Sequence, residues 1–226
     1  MRVRLLCILI CLSSIVGSAQ FLSACAREPV VSPWQNYQSS NSYELPVKGA
    51  WYVYWGGDTK QDNYHVVYGE QRYAFDFAKL PESGGYTTKT ALNFLHSRSG
   101  NLNTDYHCFG SPVFAAASGR VVHAIDGIPD NKPESRNYLK IFGNYVMIDH
   151  GNSEYSITAH FKKGSVSVRT GDSVEVGQKI GECGNSGNSG APHVHFHVQD
   201  GPDLYSGSGK PVRFANIIVE GQLKTF

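Results

Sequence analysis

Short apolar runs, each broken by Gly, Pro, Asn or Asp, follow one another along the chain from about Trp51. In the run from Gln71 to Ala78, aromatic residues fall on one face and small or charged residues on the other. Runs of this kind are typical of β-strands joined by tight turns. We predict strands at 51–55, 64–68, 71–78, 112–116, 120–125, 138–142, 144–148, 155–161, 173–176, 179–181 and 193–198.

No stretch of the sequence keeps a helical period over many turns, and the best helical candidate is the short segment 89–96. The connections 79–109 and 126–137 are long and irregular, and such loops in a compact domain are usually functional or mobile. The pattern therefore predicts one all-β domain over residues 50–226. We expect a single antiparallel β-sheet or sandwich with long loops that line a groove.

The first 25 residues have the features of an export signal. Two Arg residues precede an apolar run over 5–16, and residues 22–25 read Leu-Ser-Ala-Cys, which resembles the lipobox of bacterial lipoproteins. Ordinary signal peptidase cleavage after Ala19 is the alternative. The apolar run is shorter than the ~20 residues that span a bilayer, which disfavours a retained transmembrane helix. We expect an exported protein that faces the periplasm or cell wall, anchored to the membrane by a lipid on Cys25.

Residues 26–49 are polar and lack an apolar period, so we predict a linker between the signal segment 1–25 and the domain. Cys108 and Cys183 lie in the domain itself. In an oxidising compartment these two can form a disulfide, or they can stay as separate buried thiols.

The charge balance removes one class of partner. Lys+Arg 20 and Asp+Glu 19 give a formal net charge of +1, whereas proteins that bind nucleic acid usually carry a basic stripe. We therefore expect no nucleic-acid partner. The hydrophobic fraction of 41% is enough for a packed core.

Three histidines alternate in the last predicted strand, at His193, His195 and His197. Alternate side chains of a strand share a face, so the three imidazoles point one way and the apolar residues between them point into the core. Neutral imidazole is a good zinc ligand. A polar strand facing solvent is the alternative interpretation. With nine His in the whole chain, three at alternate positions favour a metal or catalytic site.

Other candidate residues carry weaker signals when taken singly. Asp76 lies between two Phe residues in an apolar strand, where an ionised carboxylate needs a partner. That partner is either a metal ion or Arg72, which shares its face by strand parity. His65 and His160 are single histidines of a kind that is often structural. The Gly-rich segment 184–190 lacks the Gly-Lys-Ser/Thr ending of a P-loop, and we interpret it as a tight turn that lets backbone approach a site.

Several motifs occur in a fixed order along the chain. They are Pro-Val-Phe-Ala with a later Gly-Arg-Val at 112–121, Thr-Ala-His-Phe at 158–161, Gly-Asp-Ser-Val with Gly-Gln-Lys-Ile-Gly at 171–181, and Pro-His-Val-His-Phe at 192–196. Together they resemble the motifs of the lysostaphin/LytM-type zinc metallopeptidases, which cut peptidoglycan peptides. The similarity runs from about Trp51 to the C-terminus and implies the LytM-type fold.

The resemblance implies a set of roles for residues of this chain. Asp76 and His195 correspond to ligands of Zn²⁺, and His160 and His193 to catalytic residues that orient and activate the attacking water. The family's other His ligand stands four residues before the Asp, where this chain has Arg72, which cannot ligate as a cation.

Two positions depart from the usual pattern of the family. Some members place the other His ligand farther upstream, in an Asn-x-His stretch that His65 fits, so His65 completes the expected ligand set. Many members have Glu at the position of His197, which we expect to support the ligands from beside them.

The resemblance therefore implies a zinc metalloendopeptidase that hydrolyses peptide cross-links of peptidoglycan through a zinc-activated water. The alternative is an inactive module of LytM type that binds and activates other cell-wall hydrolases. A sugar-binding β-domain, suggested by the aromatic residues at 51–55, leaves the histidine row unexplained.

Overall fold

The computed structural model describes residues 28–79 and 102–215, and nearly all regular structure there is β. The strands are β1 (Trp51–Trp55), β2 (Phe75–Lys79), β3 (Pro112–Phe114), β4 (Gly119–Ile125), β5 (Asn144–Asp149), β6 (Tyr155–Phe161), β7 (Ser173–Val174), β8 (Lys179–Glu182), β9 (Val194–Gln199) and β10 (Gly209–Lys210). The helical segments in these ranges are two 3₁₀ turns, Tyr64–Val67 and Asn103–Asp105, and neither is long or apolar enough to cross a membrane. The all-β prediction is confirmed.

One antiparallel sheet contains most of the strands, in the order β1-β2-β9-β6-β5-β4-β7, and β10 joins it by pairing with β9. Strands β3 and β8 form a separate two-stranded sheet. Strand β9 lies between β2 and β6. Its register places Asp76 of β2 on one side of His195 and Ala159 of β6 on the other.

The alternation of β9 separates the core from the candidate site. Val194, Phe196 and Val198 are at most 1% exposed and belong to the main hydrophobic cluster. The opposite face is covered as well, since His195 and His197 are 2% and 1% exposed. The alternative of a polar strand facing solvent is therefore wrong, and these buried imidazoles need hydrogen-bonding or ligand partners.

Two segments predicted as strands have other conformations. Residues 64–68 contain a 3₁₀ turn, because the side chain of Asn63 accepts a hydrogen bond from the backbone N–H of His65 and caps that turn. Residues 138–142 form turns, and Gly143, which follows them, has a positive φ of 59°. In both places local hydrogen bonding overrides the apolar pattern.

Other boundaries differ more modestly from the prediction. Strand β2 begins at Phe75, four residues later than expected, and β10 is too short to produce a period in the sequence. The helix predicted at 89–96 and the signal segment 1–25 lie outside the described residues.

The predicted linker packs against the domain in the structure, and we call its described part, residues 28–49, the N-terminal strap. Tyr43 is fully buried in the main hydrophobic cluster. Trp34 donates from Nε1 to Asp200 Oδ2 at 2.9 Å, and Nζ of the buried Lys210 lies 4.3 Å from the centre of the Trp34 ring. The described part of the predicted linker is therefore packed on the domain.

The polar groups of the strap converge on one buried carboxylate, Glu154. It accepts hydrogen bonds from Tyr37 Oη, Ser39 Oγ, Ser40 N, Asn41 Nδ2 and Tyr43 Oη. Burial raises the pKa of Glu154, but the hydrogen bonds outweigh burial and hold the pKa below its ordinary value. A segment that is polar in sequence is thus ordered by an acceptor more than a hundred positions away.

This carboxylate gives the strap a dependence on acid pH. Because the pKa of Glu154 is lower in the folded state than in the unfolded state, its contribution to stability is present above the ordinary pKa near 4.5 and is lost as pH falls through the folded value. We expect the free energy of unfolding of the wild type to fall more steeply below pH 4.5 than that of Glu154→Gln. Urea unfolding across acid pH measures this difference, and equal slopes would contradict the role given to Glu154.

A disulfide joins Cys108 and Cys183, which resolves the alternatives left open by the sequence. It ties the segment before β3 to the residue that follows β8, and both cysteines are buried. The bond therefore holds the segment before β3 against the end of β8, just before the loop 184–190 begins.

Candidate metal centre

Three ligand-type side chains converge on one buried point. The register of β2 and β9 places Asp76 Oδ1 2.9 Å from His195 Nδ1. The 3₁₀ turn brings His65 to the same carboxylate, with Nε2 3.7 Å from Asp76 Oδ2. One ligand atom of each residue lies within 4.8 Å of the others, and all three residues are buried.

The hydrogen bonds of Asn63 fix the protonated nitrogen of His65. Asn63 Nδ2 donates to the carbonyl groups of Gly57 and Ala74, so its Oδ1 is the atom that faces His65. That oxygen accepts from His65 Nδ1 at 2.8 Å, which means that Nδ1 carries the ring proton. His65 Nε2 therefore directs a lone pair towards Asp76. Metal-ligating histidines are commonly held in this way, with the second nitrogen donating to a fixed acceptor.

The donor set fits a zinc ion. A lone pair of His65 faces a carboxylate oxygen across 3.7 Å, so two acceptors oppose each other with no hydrogen between them. A buried carboxylate needs a positive partner, and a cation between these atoms would supply it. Imidazole nitrogen and carboxylate oxygen are ligands that zinc takes, and catalytic zinc sites use three protein ligands. His65, Asp76 and His195 are the residues that would hold the ion.

Two further histidines stand beside this point. His193 Nε2 lies 3.6 Å from Asp76 Oδ1, and the ring centres of His193 and His160 are 4.7 Å apart. His193 Nδ1 donates to the carbonyl of Ala191, and His160 Nδ1 donates to the carbonyl of Ser186, each at 2.8 Å. A carbonyl can only accept, so in both neutral rings Nε2 is the unprotonated nitrogen. Both residues can therefore accept a proton at Nε2.

His160 reaches the site through a β-bulge. Its neighbours Ala159 and Phe161 pair with consecutive residues of β5, which leaves His160 as the extra residue, with a left-handed φ of 66°. Thr158 pairs with the core residue Phe196, so regular alternation would turn His160 to the core face as well. The bulge directs it to the other face instead, 5.7 Å from His195 between ring centres.

Burial governs the charges of the site. Burial raises the pKa of Asp76 to about 6, against the lowering effect of His193 and Arg136. Burial lowers the pKa of His195 to about 3 and holds the pKa of His65 and of His160 well below the ordinary value. Burial also lowers the pKa of His193, although Asp76 opposes that change. The imidazoles are therefore neutral at pH 7, which is the form that ligates metals and accepts protons.

Arg72, at the position of the family's other His ligand, is held elsewhere. Its Nε and Nη2 donate to the carbonyl groups of Val30 and Asp58, at 2.8 and 3.0 Å. The ion pair between Arg72 and Asp76, one alternative from the sequence, is therefore replaced by the contact of Asp76 with histidines. His65 takes the place beside Asp76 that the upstream Asn-x-His pattern predicts.

The loop 184–190 supplies backbone to the site, as the sequence predicts for a tight turn. A Cβ on Gly187 would lie 2.3 Å from the backbone N of Gly143, so this close approach requires glycine. It brings the carbonyl of Ser186 to His160. The sequence gives no signal for this carbonyl, whereas the Asn two residues before His65 is a recognisable cue for its side-chain partner.

Residues 101–212 match the family model for Peptidase family M23. Lipoprotein NlpD of Yersinia enterocolitica is 34% identical over 106 residues, which cover 46% of this chain and 90% of that protein. The chain belongs to peptidase family M23. The family expected from the ordered motifs is thereby confirmed.

The M23 relatives of this chain have different names and roles. Peptidoglycan DD-endopeptidase ShyA of Vibrio cholerae serotype O1 is 35% identical over 89 residues, which cover 39% of this chain and 17% of that protein. Murein hydrolase activator NlpD of Salmonella dublin is 32% identical over 128 residues, which cover 56% of this chain and 29% of that protein. The chain thus spans less than a third of either relative, and M23 members include both endopeptidases and activators.

Proposed function

We propose that this M23 protein is an exported zinc metalloendopeptidase that hydrolyses peptide cross-links of bacterial peptidoglycan. The observation that carries the proposal is the convergence of His65, Asp76 and His195, with His65 held by Asn63 so that its lone pair faces the carboxylate. A module that had lost its metal would have no need to bury three such groups around one point.

The roles of the catalytic residues follow from their protonation. A zinc ion held by these ligands would polarise the scissile carbonyl and lower the pKa of water. His193 and His160 each keep Nδ1 on a backbone carbonyl and offer Nε2 to the site. Each can accept a proton from the attacking water at Nε2, and in its protonated form each would stabilise the negative charge that develops on the carbonyl oxygen.

The substrate class rests on the relatives and on the export features. ShyA, which shares 35% identity over the matched region, is a peptidoglycan DD-endopeptidase by name. A disulfide and the signal-like segment 1–25 with Cys25 both suit a compartment outside the cytoplasm. We therefore propose that a lipid on Cys25 holds the protein at the membrane, where it acts on the wall.

A second function is favoured by one specific observation, which is the similarity to the murein hydrolase activator NlpD. In that case the domain would bind another cell-wall hydrolase and raise its activity. Arg72, in place of the family's usual His, suits such a role, and the approach of His65 to Asp76 speaks against it.

Purified protein without its signal segment tests the enzyme proposal on cross-linked peptidoglycan. We expect about one zinc per chain, release of uncross-linked peptides, loss of release with a chelator and its recovery with added zinc. Mass spectrometry of the released peptides would identify the bond that is cleaved. A chain without metal that leaves the wall intact but stimulates a purified wall hydrolase would overturn the proposal in favour of the activator.

The variant His160→Ala separates catalysis from metal binding. Because His160 transfers protons and does not hold the ion, we expect zinc content to stay at the wild-type level while kcat falls about 10²–10⁴-fold. His123→Ala is a matched control, since His123 lies on β4 and its ring contacts Tyr145 rather than the ligand set. Wild-type activity in His160→Ala would remove this residue from the mechanism.

A further inference from the structure

A line of hydrogen-bonding side chains runs along the site face of β9, from His195 through His197 to Gln199. His195 Nε2 lies 2.9 Å from His197 Nδ1, and His197 Nε2 lies 3.3 Å from Gln199 Oε1. All three residues are at most 2% exposed. The order of the side chains follows from the two-residue period of the strand.

The far end of this line is fixed by backbone. Gln199 Nε2 donates to the carbonyl groups of Gly201 and Asp203, at 2.7 and 2.6 Å. Turning the amide over would set its oxygen against both carbonyls, which can only accept. Gln199 therefore presents Oε1 to His197.

The orientation of Gln199 determines the protons of both histidines. His197 Nε2 must donate to Oε1, so in the neutral ring His197 Nδ1 is an acceptor. His195 Nε2 must then donate to that nitrogen. The proton of His195 is thus on Nε2, and its Nδ1 directs a lone pair at Asp76.

The other tautomer of His195, with its proton on Nδ1, would compete with metal binding. A carboxylate 2.9 Å from His195 Nδ1 would by itself favour a proton on that nitrogen, and such a hydrogen bond occupies the lone pair that a metal needs. With the proton there, His195 Nε2 and His197 Nδ1 would face each other as two buried acceptors. Leaving both unpaired in the interior is unfavourable.

We propose that Gln199, through His197, sets the tautomer of His195 and so keeps His195 Nδ1 available to zinc. Gln199 and His197 are positioning residues that touch neither the ion nor the substrate. The proposal rests on the metal site of the proposed function but not on peptide hydrolysis.

The test compares two substitutions of Gln199. Gln199→Met keeps the volume and removes the acceptor, and we expect its Kd for zinc to rise about 10–100-fold, as for other partners of ligating histidines. Gln199→Glu keeps an acceptor for His197 Nε2 but sets a second oxygen against the carbonyl groups of Gly201 and Asp203. We therefore expect this variant to be less stable than the wild type, with a Kd for zinc closer to the wild-type value than that of Gln199→Met. Gln71→Met, at a buried glutamine that bonds to Glu70, is the control and should bind zinc like the wild type. Competition with a chromophoric chelator measures each Kd.

A spectroscopic readout addresses the tautomer directly. In ¹⁵N-labelled protein without metal, long-range nitrogen–proton correlations should place the proton of His195 and His197 on Nε2 in the wild type. In Gln199→Met the His195 signal should change towards the Nδ1-protonated form. A wild type that carries the His195 proton on Nδ1 would overturn the proposal, and that result needs no variant to fold.

The outcomes also separate this proposal from the proposed function. If the variants bind zinc in the predicted order but the protein has no hydrolytic activity, the role of Gln199 is supported and the proposed endopeptidase activity is excluded. If folded Gln199→Met binds zinc as tightly as the wild type, the role of Gln199 in setting the His195 tautomer is overturned, whether or not peptidoglycan is cleaved. A wild type that binds no zinc overturns both.

Discussion

Asp76→Asn is expected to abolish zinc binding and, with it, cleavage of peptidoglycan. Asp76 is the residue that both His65 and His195 approach, so its carboxylate is the shared centre of the ligand set. The amide is neutral and a poor ligand, so the loss of affinity should exceed the ~10–100-fold that an outer partner of a ligand costs. Isothermal titration with zinc, together with digestion of cross-linked peptidoglycan, measures both effects.

Stability supplies an independent readout of the same substitution. A ligand that binds only the folded state raises the free energy of unfolding, by about 2.7 kcal/mol at a concentration 100 times its Kd. We expect zinc to raise the melting temperature of the wild type and to leave that of Asp76→Asn unchanged. The exposed Asp58 gives the matched control, because Asp58→Asn should keep the full response. A response to zinc in Asp76→Asn equal to that of the wild type would show that the metal binds elsewhere.

The part of the site that lies on regular strands is predictable from the sequence. The two-residue period of β9, continued back by one residue, places His193, His195 and His197 on one face, and Asp76 lies between Phe75 and Phe77 in β2. The structure brings Asp76 and His195 together by cross-strand pairing. Periodicity alone does not show which strands are neighbours in the sheet, and the ordered family motifs supply that information.

The remaining parts depend on irregular backbone, which leaves no period. His65 comes to Asp76 on a 3₁₀ turn capped by Asn63, in a segment whose apolar residues indicate a strand. His160 turns to the site through one inserted residue with a left-handed φ, where regular alternation points to the core. The hydrogen-bonded line from His195 to Gln199 depends on the backbone carbonyl groups of Gly201 and Asp203, and a residue of any type has such a group.

The packing of the N-terminal strap on the domain is likewise not predictable from the sequence. Its composition indicates a linker because its hydrogen-bonding groups are numerous and its apolar residues are few. The acceptor that satisfies those groups, Glu154, lies in the turn between β5 and β6 and carries no mark of this role in the sequence. Long-range polar contacts of this kind are therefore seen only once the sheet is assembled.

Tyr43→Ala is expected to cause the largest loss of stability in the strap. Tyr43 is fully buried, lies edge-on to His150 and Phe196, and donates from Oη to Glu154 at 2.8 Å. Removing a buried aromatic side chain costs about 3–5 kcal/mol, since both its packing and its contacts are lost. We expect the free energy of unfolding, measured with urea and with the disulfide intact, to fall by about this amount.

Two substitutions divide that loss into its causes. Tyr43→Phe keeps the ring and removes one hydrogen bond to a charged acceptor, so we expect a cost of about 1.5–3 kcal/mol. Leu139→Ala, at a side chain that is 92% exposed, should change stability by less than about 0.5 kcal/mol. If Tyr43→Ala is no less stable than Leu139→Ala, the strap does not unfold with the domain. The expected order of the free energy of unfolding is Tyr43→Ala lowest, then Tyr43→Phe, then Leu139→Ala. That order would show that residues 28–49 unfold together with the domain, so that the strap, whose Val30 carbonyl accepts from Arg72, is part of the folded unit that carries the metal centre.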